Sequence, residues 1–209
     1  MPGLFISLEG IDGSGKSTQG KRLAESLRAL GQTVTLTREP GGSPGAEEIR
    51  RLVLEGATDR WSAETEILLF TAARRDHLEK TIRPALDRGE VVITDRFADS
   101  TRIFQGITRG DLSQIVDRLH ELMIGVEPDL TLIFDLDPAT GLSRATARAG
   151  KELRFEDMGL AFQQKARAGF LALAAQHPRF RVVDADGDPD TVAARVWQVV
   201  SAALGQGRA

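Results

Sequence analysis

The sequence has no cysteine, no tyrosine and only three histidines, and aromatic residues make up 5% of its 209 positions. Without cysteine, disulfides, cysteine–zinc sites and thiol catalysis are all excluded. His77, His120 and His177 lie far apart and share no metal-ligand spacing, so they read as surface or helix residues. No apolar run approaches the roughly 18 residues of a membrane span. No basic segment followed by an apolar core marks a secretory signal. The formal net charge of −3 argues against a broad nucleic-acid footprint. The expectation is a soluble, cytoplasmic chain that engages neither membrane nor nucleic acid. With 41% hydrophobic and 27% charged residues, its composition is that of one globular domain large enough to bury a core.

What is present is concentrated at one stretch. Phe5 to Gly10 is an apolar strand pattern, and Gly10 to Ser17 satisfies G-x-x-x-x-G-K-[ST] in full. Gly10, Gly13 and Gly15 let the backbone turn so that its N–H groups face an anion. The helix that begins near Gly15, with Leu23, Leu27 and Leu30 on one side, adds its positive dipole end. Lys16 is suited to reach β- and γ-phosphates, and the Ser17 hydroxyl to hold Mg²⁺. The stretch predicts binding of a nucleoside triphosphate.

Further along, Thr33–Thr37 alternates as a strand, followed by the proline- and glycine-rich Arg38–Gly45. Helical patterns span about 46–55 and 62–88, with Pro84 expected to kink or end the second. Glu90–Asp95 reads as a strand buried on both faces, 111–124 as a helix, and Leu130–Asp135 and Phe180–Asp184 as the last two strands. Helices are expected around 138–149, 157–176 and 189–204. Five strands alternating with helices predict an α/β doubly wound parallel sheet, flanked by helices on both faces, in a single domain spanning 1–209. Sites in such folds lie beyond the carboxyl ends of the strands. Most of the unusual polar residues fall there.

Asp95, directly after an apolar strand, has the form of a carboxylate that holds a Mg²⁺ shell. Asp135 has the same form and is its rival; Asp95 is favoured because Arg96 beside it supplies a phosphate ligand. A second basic group comprises Arg144, Arg148, Lys151 and Arg154, with Gly150 as a possible hinge. A mobile segment over about 143–157 that closes cations over phosphates would exclude water and stabilise charge in phosphoryl transfer.

Five motifs in order resemble the bacterial type of thymidylate kinase. They are Leu8–Thr18, Thr37–Gly42, Leu69–Arg74, the stretch Asp95-Arg96-Phe97 through Gly106, and the Arg144–Glu156 lid. The resemblance covers essentially the whole chain and implies a P-loop nucleoside monophosphate kinase that converts dTMP to dTDP with ATP and Mg²⁺. It implies ATP contacts along Gly10, Gly13, Ser14, Gly15, Lys16, Ser17 and Thr18 and at Arg144, and a homodimer formed through the 62–88 and 111–124 helices. Asp12 resembles the family's acidic residue near the sugar 3′-hydroxyl and the acceptor phosphate. Arg38 and Arg96 resemble the arginines that hold that phosphate, as their planar forks allow. Phe70 resembles the ring stacked on thymine, and Arg74 the donor to its O4. Ser100, Thr101, Phe104 and Gln105 match the positions around the sugar and the base edge. Arg148 and Arg154 resemble lid arginines that touch the transferring phosphoryl, with Lys151 as a substitute.

Three departures from the family are visible. Phe97 and Phe104 stand where tyrosines are common, and Leu153 replaces an acidic lid residue. Without a Phe104 hydroxyl, exclusion of ribose would fall to the ring's bulk. Two other readings have their own signatures. A kinase for a different monophosphate would differ at Phe70, Arg74, Thr101 and Gln105, and a guanine-specific switch would carry Asn-Lys-x-Asp after a late strand, which is not found.

Overall fold

The computed structural model describes residues 3–147 and 158–206. Strands β1 (Leu4–Gly10), β2 (Val34–Arg38), β3 (Val91–Asp95), β4 (Leu130–Asp135) and β5 (Phe180–Asp184) form one sheet in the order β2-β3-β1-β4-β5. Every pairing is parallel, so the doubly wound sheet expected from the alternation is observed. The helices are α1 (Lys16–Ala29), α2 (Pro44–Leu54), α3 (Ala63–His77), α4 (Arg83–Asp87), α5 (Ala98–Thr101), α6 (Ser113–Met123), α7 (Pro138–Thr146), α8 (Leu160–Ala174) and α9 (Pro189–Gln206).

β1 is the central strand, and its side chains alternate between two buried layers. Ile6 and Leu8 join Leu23 and Leu27 of α1 in the larger core. Phe5 packs instead with Leu78, Ile82 and Phe97. Burial of each such side chain contributes about 1.5–3 kcal/mol. Ser7 and Glu9 continue the Phe5 face, and both are fully buried. Ser7 satisfies its hydroxyl against Thr131 across the sheet at 2.9 Å. A carboxyl group in this apolar layer therefore needs partners of its own.

Three boundaries differ from expectation. α2 begins at Pro44 rather than 46, because proline suits the first helical turn and Ser43 is extended before it. The 62–88 pattern changes its winding ahead of Pro84 rather than at it. A π-turn at Leu78–Ile82 separates α3 from α4, and Pro84 then lies in the first turn of α4, where no N–H is needed. After β3, the chain winds into α5 and a π-turn at Arg102–Ile107, an element too short to leave a periodic pattern. The later part of the expected 138–149 helix and most of the 143–157 lid, including Arg148, Lys151 and Arg154, lie outside the described residues.

Candidate active site

The carboxyl ends of β1 and β3, adjacent at the sheet centre, bring the site together. The P-loop leaves β1 with positive φ at Gly10, Gly13 and Gly15, as the motif requires. Gly13 has a second reason to be glycine. A Cβ there would stand 1.9 Å from the Gly141 carbonyl oxygen on α7, so the loop lies flat against that helix.

Lys16 folds back over the loop and donates from Nζ to the Gly10 carbonyl at 3.0 Å, the Ile11 carbonyl at 2.7 Å and Ser14 Oγ at 3.1 Å. Burial, reinforced by the nearby Arg96 cation, depresses its pKa to about 8, although Asp95, Asp12 and Glu9 pull the other way. Ser17 and Thr18 are exposed at the open end of the loop.

Ser17 Oγ donates to Asp95 Oδ2. A hydroxyl and a carboxylate meeting at a strand end fit a hard divalent cation, which takes oxygen ligands. The rival Asp135 is held by Arg167 of α8 through two bonds of 2.6 and 2.9 Å. Its carboxylate is committed to that pair.

Arg96 is the hub. Among the described residues it is the non-glycine residue of positive φ, at 72°, a conformation that costs energy and persists where the surroundings enforce it. Its backbone N–H donates to the Leu8 carbonyl at 2.9 Å. Nη1 donates to the Gly10 carbonyl and to Ser100 Oγ, both at 3.0 Å, and Nη2 to Asp12 Oδ1 at 2.5 Å. The guanidinium lies 4.9 Å from the centre of the Phe104 ring. Asp12 Oδ2 accepts from Gln163 Nε2 of α8 at 3.0 Å. Burial works against the Asp12 carboxylate, but Arg96 and Lys16 outweigh it and hold its pKa below the usual value.

A second cluster lies along α3. Phe70 is half-buried. One turn later Arg74 is 3% exposed and donates from Nε to Glu39 Oε2 at 2.7 Å, and from Nη2 to the Phe97 carbonyl at 3.1 Å and Thr101 Oγ1 at 3.0 Å. These bonds engage Nε and Nη2. Phe97 itself is core, edge-on to Phe5, and Phe104 stacks on Phe162 at 5.7 Å.

Other expected residues stand apart. Arg38 is exposed and turned onto Glu47, with Nη2 at 3.2 Å from both carboxylate oxygens. Gln105 is buried and donates from Nε2 to Glu66 Oε2 at 3.0 Å, which uses one of its two N–H donors within the protein. Arg144 is exposed on α7. Ser100 lies inward, between Arg96 and Glu9.

Glu9, Glu39 and Gln163 join the site beyond the residues expected from sequence. Glu9 carries a signal, being a charge within an apolar strand, and Glu39 lies within the Thr37–Gly42 motif. Gln163 carries none. Burial, then the Asp99 charge, raises the Glu9 pKa to about 8, against the lowering effects of Ser100, Arg96 and the Phe97 N–H. An unfolded glutamate ionises near 4.5, so the folded chain holds an extra proton between these values. Stability is expected to fall as pH rises from about 5 to 8, with a slope approaching about 1.4 kcal/mol per pH unit from this group. Urea midpoints across that range test this, and Glu9→Gln should remove the slope; an unchanged slope would contradict it. Asp12, whose pKa is depressed, acts below this window with the opposite sign.

The fold and this arrangement define a P-loop nucleoside monophosphate kinase fold. The thymidylate kinase family model matches residues 8–196, and the chain belongs to that family. It is 68% identical over 207 residues to the thymidylate kinase of Ruegeria pomeroyi, covering 99% of this chain and 98% of that one. The Caulobacter vibrioides thymidylate kinase is 54% identical over 205 residues, covering 97% and 98%. The crystal structure of thymidylate kinase from Ehrlichia chaffeensis superimposes with a TM-score of 0.78 at 36% identity, covering 96% of this chain and 99% of that one.

Proposed function

We propose that the chain transfers the γ-phosphoryl group of ATP to dTMP, giving ADP and dTDP for dTTP synthesis. The observation that carries this reading is the Arg96 guanidinium, fixed between the Gly10 carbonyl and Asp12 at the mouth of the phosphate loop. It stands where an acceptor phosphate meets a donor phosphate. An oxygen of the dTMP phosphate attacks the γ-phosphorus, and the bond to the bridging oxygen of ADP breaks. The acceptor oxygen is already ionised, so positioning and charge stabilisation suffice and no general base is needed.

Lys16 and the loop N–H groups hold the β- and γ-phosphates, with Gly10–Thr18 lining the donor. Ser17 and Asp95 would hold Mg²⁺, which supplies charge neutralisation on the phosphates. Asp12 orients Arg96 and the sugar. Arg38 leaves Glu47 to join the acceptor phosphate. Phe70 stacks on thymine, Arg74 Nη1 donates to its O4, and Thr101 and Gln105 shape the base edge. Phe104 excludes a 2′-hydroxyl by bulk. The lid cations Arg148 and Arg154, with Arg144, add charge around the transferring group.

A homodimer is supported by α3 and α6, which pack together while Leu68, Ile115, Leu122 and Met123 remain exposed. Among the described residues no helix is long and apolar enough to cross a membrane.

The test is ADP release with Mg–ATP and dTMP, UMP, dUMP, CMP or AMP as acceptor. Strong preference for dTMP is expected. Phe70→Ala should raise the KM for dTMP about 10- to 100-fold, the worth of one stacked base. Equal turnover of another monophosphate would overturn the thymine assignment.

A further inference from the structure

Glu9 has no role in the reaction as derived so far, yet it is fully buried and touches two segments that fix the hub. Its Oε1 accepts the Phe97 backbone N–H at 2.7 Å, and its Oε2 accepts the Ser100 hydroxyl at 2.6 Å. Phe97 follows Arg96 directly, so the first bond pins the peptide on the carboxyl side of the residue with positive φ. Ser100 Oγ in turn accepts from Arg96 Nη1 at 3.0 Å, so the second bond reaches the guanidinium through one hydroxyl. Leu8, Glu9, Gly10 and Asp12 thus hold Arg96 by its N–H, its following peptide and its side chain.

The neighbouring charge does not compete for these bonds. Asp99 is fully buried and its carboxylate is engaged by Arg179, at 2.8 and 2.9 Å, and by Arg102 at 2.8 Å. The Glu9 carboxyl group faces Phe97 and Ser100.

We infer that Glu9 is a positioning residue for the acceptor phosphate, acting through Phe97 and Ser100 to hold the Arg96 guanidinium against Asp12. The inference rests on the dTMP kinase reading. Arg96 meets the acceptor and Lys16 the donor, so loosening Arg96 should affect one substrate and spare the other.

Assayed at about pH 9, where the Glu9 carboxylate is ionised, Glu9→Gln keeps the volume and an oxygen for the Phe97 N–H, but presents an NH₂ to Ser100 and reverses that bond. Its KM for dTMP should rise about tenfold, the loss expected for one hydrogen bond to a charged group, with KM for ATP within about twofold. Ser100→Ala should shift KM for dTMP in the same direction. Adding it to Glu9→Gln should cost less than about twofold more, because both act through one path. Unchanged KM for dTMP in both variants, equal changes in both KM values, or multiplicative effects in the double variant would each overturn the positioning role. Should Glu9→Gln not fold, Glu9→Asp, which keeps the charge but draws the carboxylate back from Phe97 and Ser100, decides through the same KM split. If the unaltered chain does not phosphorylate dTMP, the functional reading fails and this role with it.

Discussion

Arg96→Ala is expected to lower kcat/KM for dTMP by about three orders of magnitude, the sum of two charge-assisted hydrogen bonds of about 1.5–3 kcal/mol each. The structure explains why so much depends on one side chain. Arg96 donates to Gly10, Ser100 and Asp12, so the protein itself fixes the orientation of the guanidinium. Pre-organisation removes the entropy that a free arginine would lose on binding. Removing it also strips Asp12 of the first of the cations that keep its carboxylate ionised. Arg96→Lys should recover little, because a single ammonium cannot reach the P-loop carbonyl, Ser100 and Asp12 with the same fork. Steady-state kinetics with dTMP varied at saturating ATP give the value directly. A loss below tenfold in a folded variant would remove Arg96 from the acceptor site.

Lys16→Met should lower kcat by about two to three orders of magnitude while leaving KM for dTMP within about threefold, as for loss of one group that stabilises developing charge. Methionine matches the stem of lysine in volume, so the packing beneath the loop is kept. The cation goes, and with it the three donations to Gly10, Ile11 and Ser14. Those acceptors belong to a loop whose glycines already set its path, and the loop should hold. The effect should fall on chemistry, read from single-turnover rates with both substrates saturating. A matching rise in KM for dTMP, with kcat unchanged, would place Lys16 at the wrong substrate.

Much of the fold and of the phosphate site is legible in the sequence, and for identifiable reasons. A phosphate loop must spell its glycines, lysine and serine in fixed order because backbone geometry demands it, so Gly10–Ser17 reads directly. The apolar runs of β3 and β4 are readable because strands buried on both faces leave little polar alternation. Pairwise commitments are less legible. Asp95 and Asp135 have the same local form, and only packing shows that Arg167 occupies Asp135 while Ser17 meets Asp95. Arg38 and Arg74 are both arginines of family motifs, yet one lies exposed on Glu47 and the other is buried on Glu39. Gln163 comes 151 residues after Asp12, and no spacing rule joins them. Glu9 is in plain view within the first motif, but its significance lies in facing α5, which sequence periodicity does not resolve.

The central claim is direct transfer to a bound acceptor, and the fate of the phosphoryl group tests it most directly. ATP labelled in its γ-phosphoryl group is mixed with the purified chain, Mg²⁺ and dTMP, and the products are separated. Transfer requires the label in dTDP, with one ADP formed per dTDP and little inorganic phosphate. Label released as inorganic phosphate at the same rate with and without dTMP would contradict it, and would leave a nucleotide-hydrolysing switch on the same fold.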